Sequence, residues 1–252
     1  MTEREHHSLR IGPASIAFRR TEGTSPGVMF CGGFRSDMTG TKATALEAWA
    51  IEHGRAFVRF DYQGHGASSG GFTDGTIGSW AQDARTVFDQ VTSGPQVIVG
   101  SSMGAWIMLL VALSRPERVV GLVGIAPAPD FTEDLIWGTL SPEQRLELLD
   151  NEVLYLPSEF GEPEPITLKL IDEARRHLLL RGRIGLTCPV RLIHGMTDMD
   201  VPWITSIRLA ERFSSLDVRL SLIKDGDHRL SRDQDIALIL EAVSELVVTA
   251  GR

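Results

Sequence analysis

The sequence predicts one α/β domain spanning residues 1–252, in which a mostly parallel central sheet is flanked by helices. Between residues 28 and 125, short apolar runs typical of buried strands alternate with longer segments of helical periodicity. The alternation stops at 126–187 and then resumes. One junction, within 97–113, joins an apolar strand to an apolar helix through a sharp turn that contains serine. Ligands of such sheets bind beyond the carboxyl ends of the strands.

The predicted elements follow from periodicity and from turn residues. An alternating pattern predicts an edge strand at 15–19, and a run rich in Gly, Ser and Pro predicts a turn at 22–27. Apolar runs predict buried strands at 28–31, 56–60, 97–99, 119–125, 189–193 and 218–223. Helical spacing predicts helices at 41–52, 76–91, 105–113, 142–149, 166–180 and 205–213, and a last helix from 231 or 233 to about 248.

Residues 126–187 predict a small, helical cap inserted after the sixth core strand, because six prolines divide this region into short helical pieces. Its apolar side chains have two interpretations: they line an acyl pocket, or they fix the cap to the domain. These side chains are Leu135, Ile136, Trp137, Leu140, Leu146, Leu149, Leu154 and Leu156.

The turn is Gly100-Ser101-Ser102-Met103-Gly104, and its strand–turn–helix context resembles the nucleophile elbow of α/β hydrolases. Ser102 would be held in a strained conformation with its hydroxyl projecting from the sheet, while the glycines let strand and helix approach closely. The alternative is an ordinary glycine-rich turn with a solvent-exposed serine. The context favours the nucleophile.

The partners of such a serine, an acid and then a histidine, come later in the chain on loops that follow strands. Asp198 follows the strand at 189–193, and Asp200 is its competitor, although Asp200 is better placed to cap a helix starting near Pro202. His228 follows the strand at 218–223 and is the predicted base. His194 sits at a strand end, where we expect a core or hydrogen-bonding role, and His65 lies in a glycine-rich loop near the site; we expect proton transfer from neither.

This triad predicts a chemistry without a metal or an organic cofactor. His228 would take the Ser102 proton, and Asp198 would hold the imidazole tautomer. The oxyanion needs two N–H donors, which we assign to the backbone of Met103 and Phe34. Gly32 and Gly33 would let the Phe34 loop bend toward the substrate, although a plain strand-to-helix turn would look the same in sequence.

Several segments together resemble one group of α/β-hydrolase-domain proteins whose animal members are mitochondrial. The matching segments are 34–43, 59–62, 100–106, 194–198, 201–203 and 227–229. Members of the group are described as palmitoyl-protein thioesterases and as esterases of the acyl glucuronide of mycophenolic acid. The resemblance starts near Ser15 and implies the same roles for Ser102, Asp198 and His228. The cap is the region that differs most from the family, which leaves the preferred acyl chain open. The candidate pocket residues are Gly33, Arg35, Trp106, Trp137 and Trp203.

Composition narrows the function further. A net charge of −8 is unsuited to nucleic acid, and no apolar run reaches the twenty or so residues of a membrane helix. The acidic residues near the N-terminus argue against a targeting segment, so we expect a cytoplasmic protein, with Cys31 and Cys188 as free thiols.

The sequence thus predicts a serine esterase or thioesterase acting on small molecules or on acylated proteins. Cleavage of C–C or amide bonds by the same triad, and a slow-turnover ligand receptor on the same scaffold, are the alternatives.

Overall fold

Eight strands form the central sheet in the computed structural model, which describes residues 6–157 and 163–250. The strands are β1 (His7–Ile11), β2 (Ala14–Thr21), β3 (Thr24–Cys31), β4 (Arg55–Phe60), β5 (Gln96–Ser101), β6 (Val119–Ile125), β9 (Val190–Gly195) and β10 (Val218–Ile223). Their order across the sheet is β1-β2-β4-β3-β5-β6-β9-β10. β1 pairs antiparallel with β2 and β2 antiparallel with β4, and all the other pairs are parallel. The predicted mostly parallel sheet is confirmed.

Helices cover both faces of this sheet. One face packs against α1 and α7, and the other against α2, α3 and α6. The helices of the main domain are α1 (Thr41–Glu52), α2 (Ile77–Val91), α3 (Met103–Ser114), α6 (Ile204–Arg212) and α7 (Asp233–Ala250). None of the helices in the described part of the chain is long and apolar enough to cross a lipid bilayer.

The register of the central strands gathers their carboxyl ends at one edge of the sheet. Cys31 of β3 lies beside Gly100 of β5, and Ile125 of β6 lies beside Ser101 on one side and Ile193 of β9 on the other. All six residues of β5 are buried. The loops after β3, β5, β9 and β10 therefore open on the same side of the molecule.

The first strand was not predicted, and it changes which strand lies at the edge. β1 packs antiparallel on β2, so the segment predicted as the edge strand is second in the sheet. β1 has no buried residue and gives no alternating apolar signal. The predicted turn at 22–27 is shorter than expected, because β3 already begins at Thr24. Residues 1–5, part of the segment on which the targeting prediction rests, lie outside the described residues.

The inserted region between β6 and β9 combines helices with a pair of strands. It contains α4 (Pro142–Asn151), an antiparallel pair formed by β7 (Val153–Leu156) and β8 (Glu164–Thr167), and α5 (Leu168–Ala174). The predicted helix at 166–180 is therefore wrong at both ends. β8 includes its first two residues, and α5 already ends at Ala174. Apolar side chains of the cap form a small core of their own: Leu140, Leu148, Leu154, Ile166 and Ile171.

One buried carboxylate joins the two ends of the cap. Asp130 lies just after β6 with no exposed surface, and it accepts hydrogen bonds from the backbone N–H groups of Leu179 and Leu180 at 2.7 and 2.9 Å. Arg181 adds an ion pair at 3.1 Å. Burial raises the pKa of Asp130, against the opposing effect of these donors. The contacts hold the start of the cap close to its end.

Candidate active site

Ser102 occupies the turn between β5 and α3 with φ of 55° and ψ of −122°. A non-glycine residue in this region costs about 1–3 kcal/mol, which the surrounding packing must offset. That packing depends on Gly104, where a Cβ would lie 2.1 Å from the carbonyl oxygen of Cys31, and on Gly100, where a Cβ would lie 2.5 Å from the Cα of Ala105. The two glycines permit the close approach of strand and helix that the sharp turn requires.

Gly104→Ala is expected to lower the free energy of unfolding by about 3 kcal/mol or more, because the new methyl group meets backbone atoms that have no room to move aside. Chemical denaturation measures the change. Gly185→Ala is the matched control, since a Cβ there meets nothing within 4 Å. Equal stability of the two variants would contradict this account of the elbow.

The structure brings together the three side chains expected to form a triad. The Nε2 atom of His228 lies 3.1 Å from the Oγ of Ser102, and its Nδ1 lies 2.7 Å from the Oδ2 of Asp198. Because the carboxylate only accepts, Nδ1 carries the proton and Nε2 is free to accept the hydroxyl hydrogen of the serine. This is the hydrogen-bonded arrangement that a serine nucleophile needs.

Asp198 is held by four hydrogen-bond donors. Its Oδ1 accepts from the N–H groups of Asp200 and Val201 at 2.9 and 2.8 Å, and its Oδ2 accepts from both His228 and His194. Burial disfavours the charge, but the hydrogen bonds from His194 and His228, followed by that from Val201, outweigh it and keep the pKa of Asp198 well below its ordinary value. The carboxylate therefore stays ionised at neutral pH.

His194 is a second histidine bonded to Asp198, at the same oxygen as His228. Its Nε2–H is shared between Asp198, at 3.1 Å, and the carbonyl oxygen of Val201, at 3.0 Å. Its Nδ1 accepts from the hydroxyl of Ser206 at 2.7 Å. The side chain is fully buried, and its hydrogen bonds in the described part of the chain go to Ser206, Asp198 and Val201, in keeping with a hydrogen-bonding role.

The competitor, Asp200, is exposed and makes no hydrogen bond to His228 in the described structure. Its predicted role as a helix cap is wrong, because α6 begins at Ile204 after Trp203 and has no side-chain cap. Prolines are tolerated before a helix as well as in its first turn, so Pro202 alone did not locate the start.

Met103 and Phe34 both face the space in front of Ser102. Met103 is the first residue of α3, so its N–H has no acceptor within the helix and lies at the positive end of the helix dipole. Gly33 lies beside Ser102, since a Cβ on it would be 3.4 Å from the Cβ of that serine. The loop after β3 therefore runs directly past the hydroxyl.

A cavity of about 590 Å³ opens in front of the triad. One part of its wall is apolar and includes Phe34 with three residues from the start of the cap, Phe131, Leu135 and Ile136. Another part is charged. Lys42 donates from Nζ to the carbonyl oxygen of Arg229, and both residues line the cavity. Burial lowers the pKa of Lys42 to about 8.

Two of the five candidate pocket residues, Gly33 and Arg35, line this cavity. Trp106, Trp137 and Trp203 are not among the described residues that line it. Trp106 is fully buried beneath the site and donates to the carbonyl oxygen of His177 at 3.0 Å. The Trp137 ring packs against the guanidinium groups of two arginines, and Trp203 directly precedes α6.

Some of the apolar cap residues line the cavity, as one interpretation predicted, and others pack within the cap. Leu135 and Ile136 line the cavity, whereas Leu140 and Leu154 belong to the small core of the cap and Leu156 packs against it. Leu146 and Leu149 are exposed. Sequence reasoning missed Lys42 and Arg229, although the position of Arg229 directly after His228 was a usable signal.

Among the described residues, one group of acidic and histidine side chains approaches the spacing of metal ligands. Asp198, Asp200 and His228 have ligand atoms within 4.8 Å of one another. Both nitrogens of His228 are already in hydrogen bonds, and so are both oxygens of Asp198. This donor set does not fit a metal ion.

Comparison with known proteins agrees with this architecture. The model of the serine aminopeptidase S33 family matches residues 27–153. Mitochondrial palmitoyl-protein thioesterase ABHD10 from mouse is 41% identical over 235 residues, which cover 92% of this chain and 79% of the relative. The chain belongs to the ABHD10 family of α/β hydrolases. It is a hydrolase.

Three solved structures share the fold of this chain. Mouse α/β hydrolase domain-containing protein 10 superposes with a TM-score of 0.91 at 38% identity, covering 98% of this chain and all of that one. A putative hydrolase from Agrobacterium vitis S4 gives a TM-score of 0.93 at 40% identity, covering 96% and 98% of the two chains. The esterase Est1E from Butyrivibrio proteoclasticus, with ferulic acid bound, is 21% identical and shares the α/β-hydrolase fold with a TM-score of 0.81, over 96% and 98% of the chains.

Proposed function

We propose that this protein hydrolyses acyl thioesters and carboxylic esters through an acyl-enzyme formed on Ser102. The observation that carries the proposal is the unbroken row of hydrogen bonds from Asp198 through His228 to the Ser102 hydroxyl, at 2.7 and 3.1 Å, beside a cavity of about 590 Å³. A hydroxyl, a neutral imidazole and an ionised carboxylate in this order are the components of acyl transfer.

Acylation begins when the Ser102 oxygen attacks the substrate carbonyl carbon and its proton passes to Nε2 of His228. The oxyanion of the tetrahedral intermediate is placed to accept hydrogen bonds from the backbone N–H groups of Met103 and Phe34. The ionised Asp198 stabilises the imidazolium, which then protonates the departing thiolate or alkoxide. The products are the leaving thiol or alcohol and an ester of Ser102.

Deacylation repeats these steps with water. His228 removes a proton from a water molecule that attacks the Ser102 ester, and the same two N–H groups receive the second oxyanion. The imidazolium then returns its proton to the serine oxygen, and the carboxylic acid leaves. Nε2 of His228 accepts and returns the proton in both halves of the cycle, so the proton transfers need no group besides this chain, the substrate and one water molecule.

The acyl chain is assigned to the apolar part of the cavity, formed by Phe34, Phe131, Leu135 and Ile136. Burial of an alkyl chain contributes about 0.8 kcal/mol for each methylene group, which favours long acyl groups at such a wall. Relatives named palmitoyl-protein thioesterases support the same choice. Palmitoyl groups on small molecules or on proteins are therefore the first substrates to test.

The test is a substrate panel on the purified chain: p-nitrophenyl esters from acetyl to palmitoyl, acyl thioesters of the same lengths, and aminoacyl p-nitroanilides. We expect turnover of esters and thioesters, with a burst of about one equivalent of p-nitrophenol per chain where deacylation is slow. Preferred cleavage of the anilides would instead make the protein an aminopeptidase. Binding of acyl compounds without product would make it a receptor.

A fluorophosphonate probe tests the nucleophile independently of the substrate. Peptide mapping by mass spectrometry is expected to find the label on Ser102. Labelling that survives unchanged in Ser102→Ala would overturn the proposed mechanism.

A further inference from the structure

The loop that follows β3, residues 32–36, is tied to its surroundings by hydrogen bonds at successive peptide groups; we call it the oxyanion loop. The carbonyl oxygen of Gly32 accepts from the hydroxyl of Tyr62 at 3.3 Å. That of Gly33 accepts from the N–H of Ser36 at 3.2 Å and from its Oγ at 2.8 Å. The N–H of Arg35 donates to Nε2 of His65 at 3.2 Å.

These bonds fix both peptide planes next to Phe34. In a trans peptide the carbonyl and the N–H point in opposite directions, so the bonds from Ser36 to Gly33 also set the direction of the Phe34 N–H. The bond from Arg35 to His65 sets the plane on the other side of Phe34. Arg35 itself has a positive φ of 55°, which a non-glycine residue adopts only when neighbouring contacts hold it there.

His65 is built to accept this hydrogen bond. Its side chain is 4% exposed, and its ring makes edge contacts with Tyr62, Phe72 and Trp80 at centroid distances of 5.2–5.5 Å. Its Nδ1 lies 3.4 Å from the carbonyl oxygen of Gln63, so the proton sits on Nδ1 and leaves Nε2 as an acceptor. Burial lowers the pKa of His65 to about 4, so the imidazole is neutral where esterases are assayed.

We propose that His65 is a positioning residue for the oxyanion hole: by accepting the Arg35 N–H at Nε2, it holds the peptide plane after Phe34 and so, together with the bonds from Ser36 to Gly33, keeps the Phe34 N–H directed at the substrate oxygen. The inference rests on the proposed function, since it requires an oxyanion at that N–H. His65 does not touch the reacting atoms; it acts through the backbone of the oxyanion loop. The competing explanation is that the ring only fills the space between three aromatic side chains.

Two substitutions separate these explanations because they act in opposite directions. His65→Phe keeps a ring of similar shape and removes the acceptor, whereas His65→Gln loses the ring and retains an acceptor oxygen near the position of Nε2. For His65→Phe we expect kcat with a p-nitrophenyl ester to fall about 10- to 100-fold with KM within about twofold. His65→Gln is expected to recover at least about fivefold of that loss, although its melting temperature is the lower of the two.

The rate of fluorophosphonate labelling is expected to follow the same order, because the phosphonyl oxygen occupies the same N–H site. Wild-type kcat in His65→Phe, or activity in the two variants that simply follows their stability, would overturn the proposal. Amide hydrogen exchange in the unmodified protein gives a measurement that needs no variant: slow exchange at Arg35 supports the proposal, and fast exchange contradicts it.

Ser102→Ala, assayed in parallel, distinguishes this proposal from the function on which it rests. If Ser102→Ala turns over substrate normally, the proposed function fails whatever His65 does. If Ser102→Ala is inactive while His65→Phe is fully active, the function stands and only the role of His65 is wrong.

Discussion

Replacing Ser102 with alanine is expected to lower kcat for ester and thioester hydrolysis by about 10⁶-fold. In the proposed mechanism the hydroxyl 3.1 Å from Nε2 of His228 forms the acyl-enzyme, so its loss removes the covalent route altogether. Only water activated in the same cavity remains as a nucleophile. Steady-state kinetics with a p-nitrophenyl ester measure the loss, and circular dichroism confirms that the fold is retained.

The same experiment shows whether Ser102 and His228 work as one unit. His228→Ala alone is expected to lower kcat about as much as Ser102→Ala, and the double variant no more than either. The reason is that the serine is a poor nucleophile without the histidine, and the histidine has no serine proton to accept without Ser102. Ser221→Ala, an exposed position on β10, is the matched control and should behave like the unmodified chain. Losses that multiply in the double variant would contradict a shared mechanism.

Asp198→Asn is expected to lower kcat by about 10⁴-fold with little change in KM. All four groups bonded to Asp198 are donors. The amide oxygen of an asparagine would therefore stay with the two backbone N–H groups and turn its NH₂ toward His228. The imidazole would then accept at Nδ1, carry its proton on Nε2, and be unable to take the proton of Ser102.

Asp200→Asn is the comparison that decides between the two acids. Asp200 is exposed and does not bond to His228, so its variant is expected to lose less than about tenfold in kcat. A larger loss in Asp200→Asn than in Asp198→Asn would make Asp200 the acid and show that the hydrogen bond to Asp198 is incidental to catalysis.

Local patterns of apolar and turn residues were enough to predict most of the strands and helices. They also located the residues that meet at the candidate active site. Ser102 stood in a strand–turn–helix context, and Asp198 and His228 each followed a recognisable strand, so the topology of a parallel sheet was enough to place them on one edge. The helix at 41–52 and the strand at 218–223 were predicted with their observed bounds, because their periodicity was uninterrupted.

The pocket was harder to predict because its lining depends on packing between distant segments. Trp106 has the sequence position of a residue next to the nucleophile, yet the helix turns its ring beneath the site, toward His177. Trp137 lies in the cap, but two arginines cover its ring. The support given to Asp198 by His194 and to the oxyanion loop by His65 likewise depends on side-chain directions that a single sequence does not reveal.

The hydrogen bonds at Asp130 have a consequence for how far the cap can vary in sequence and length. Because Asp130 holds the start of the cap against Leu179 and Leu180 near its end, the roughly fifty residues between them form a module whose two ends are joined by one buried carboxylate. Such a module can be exchanged or lengthened while the sheet edge with the triad keeps its shape, provided that the carboxylate and the two amides it accepts from are kept. Substitutions within this module can therefore reshape the apolar wall that Leu135 and Ile136 contribute to the cavity, while Ser102, Asp198 and His228 stay in place.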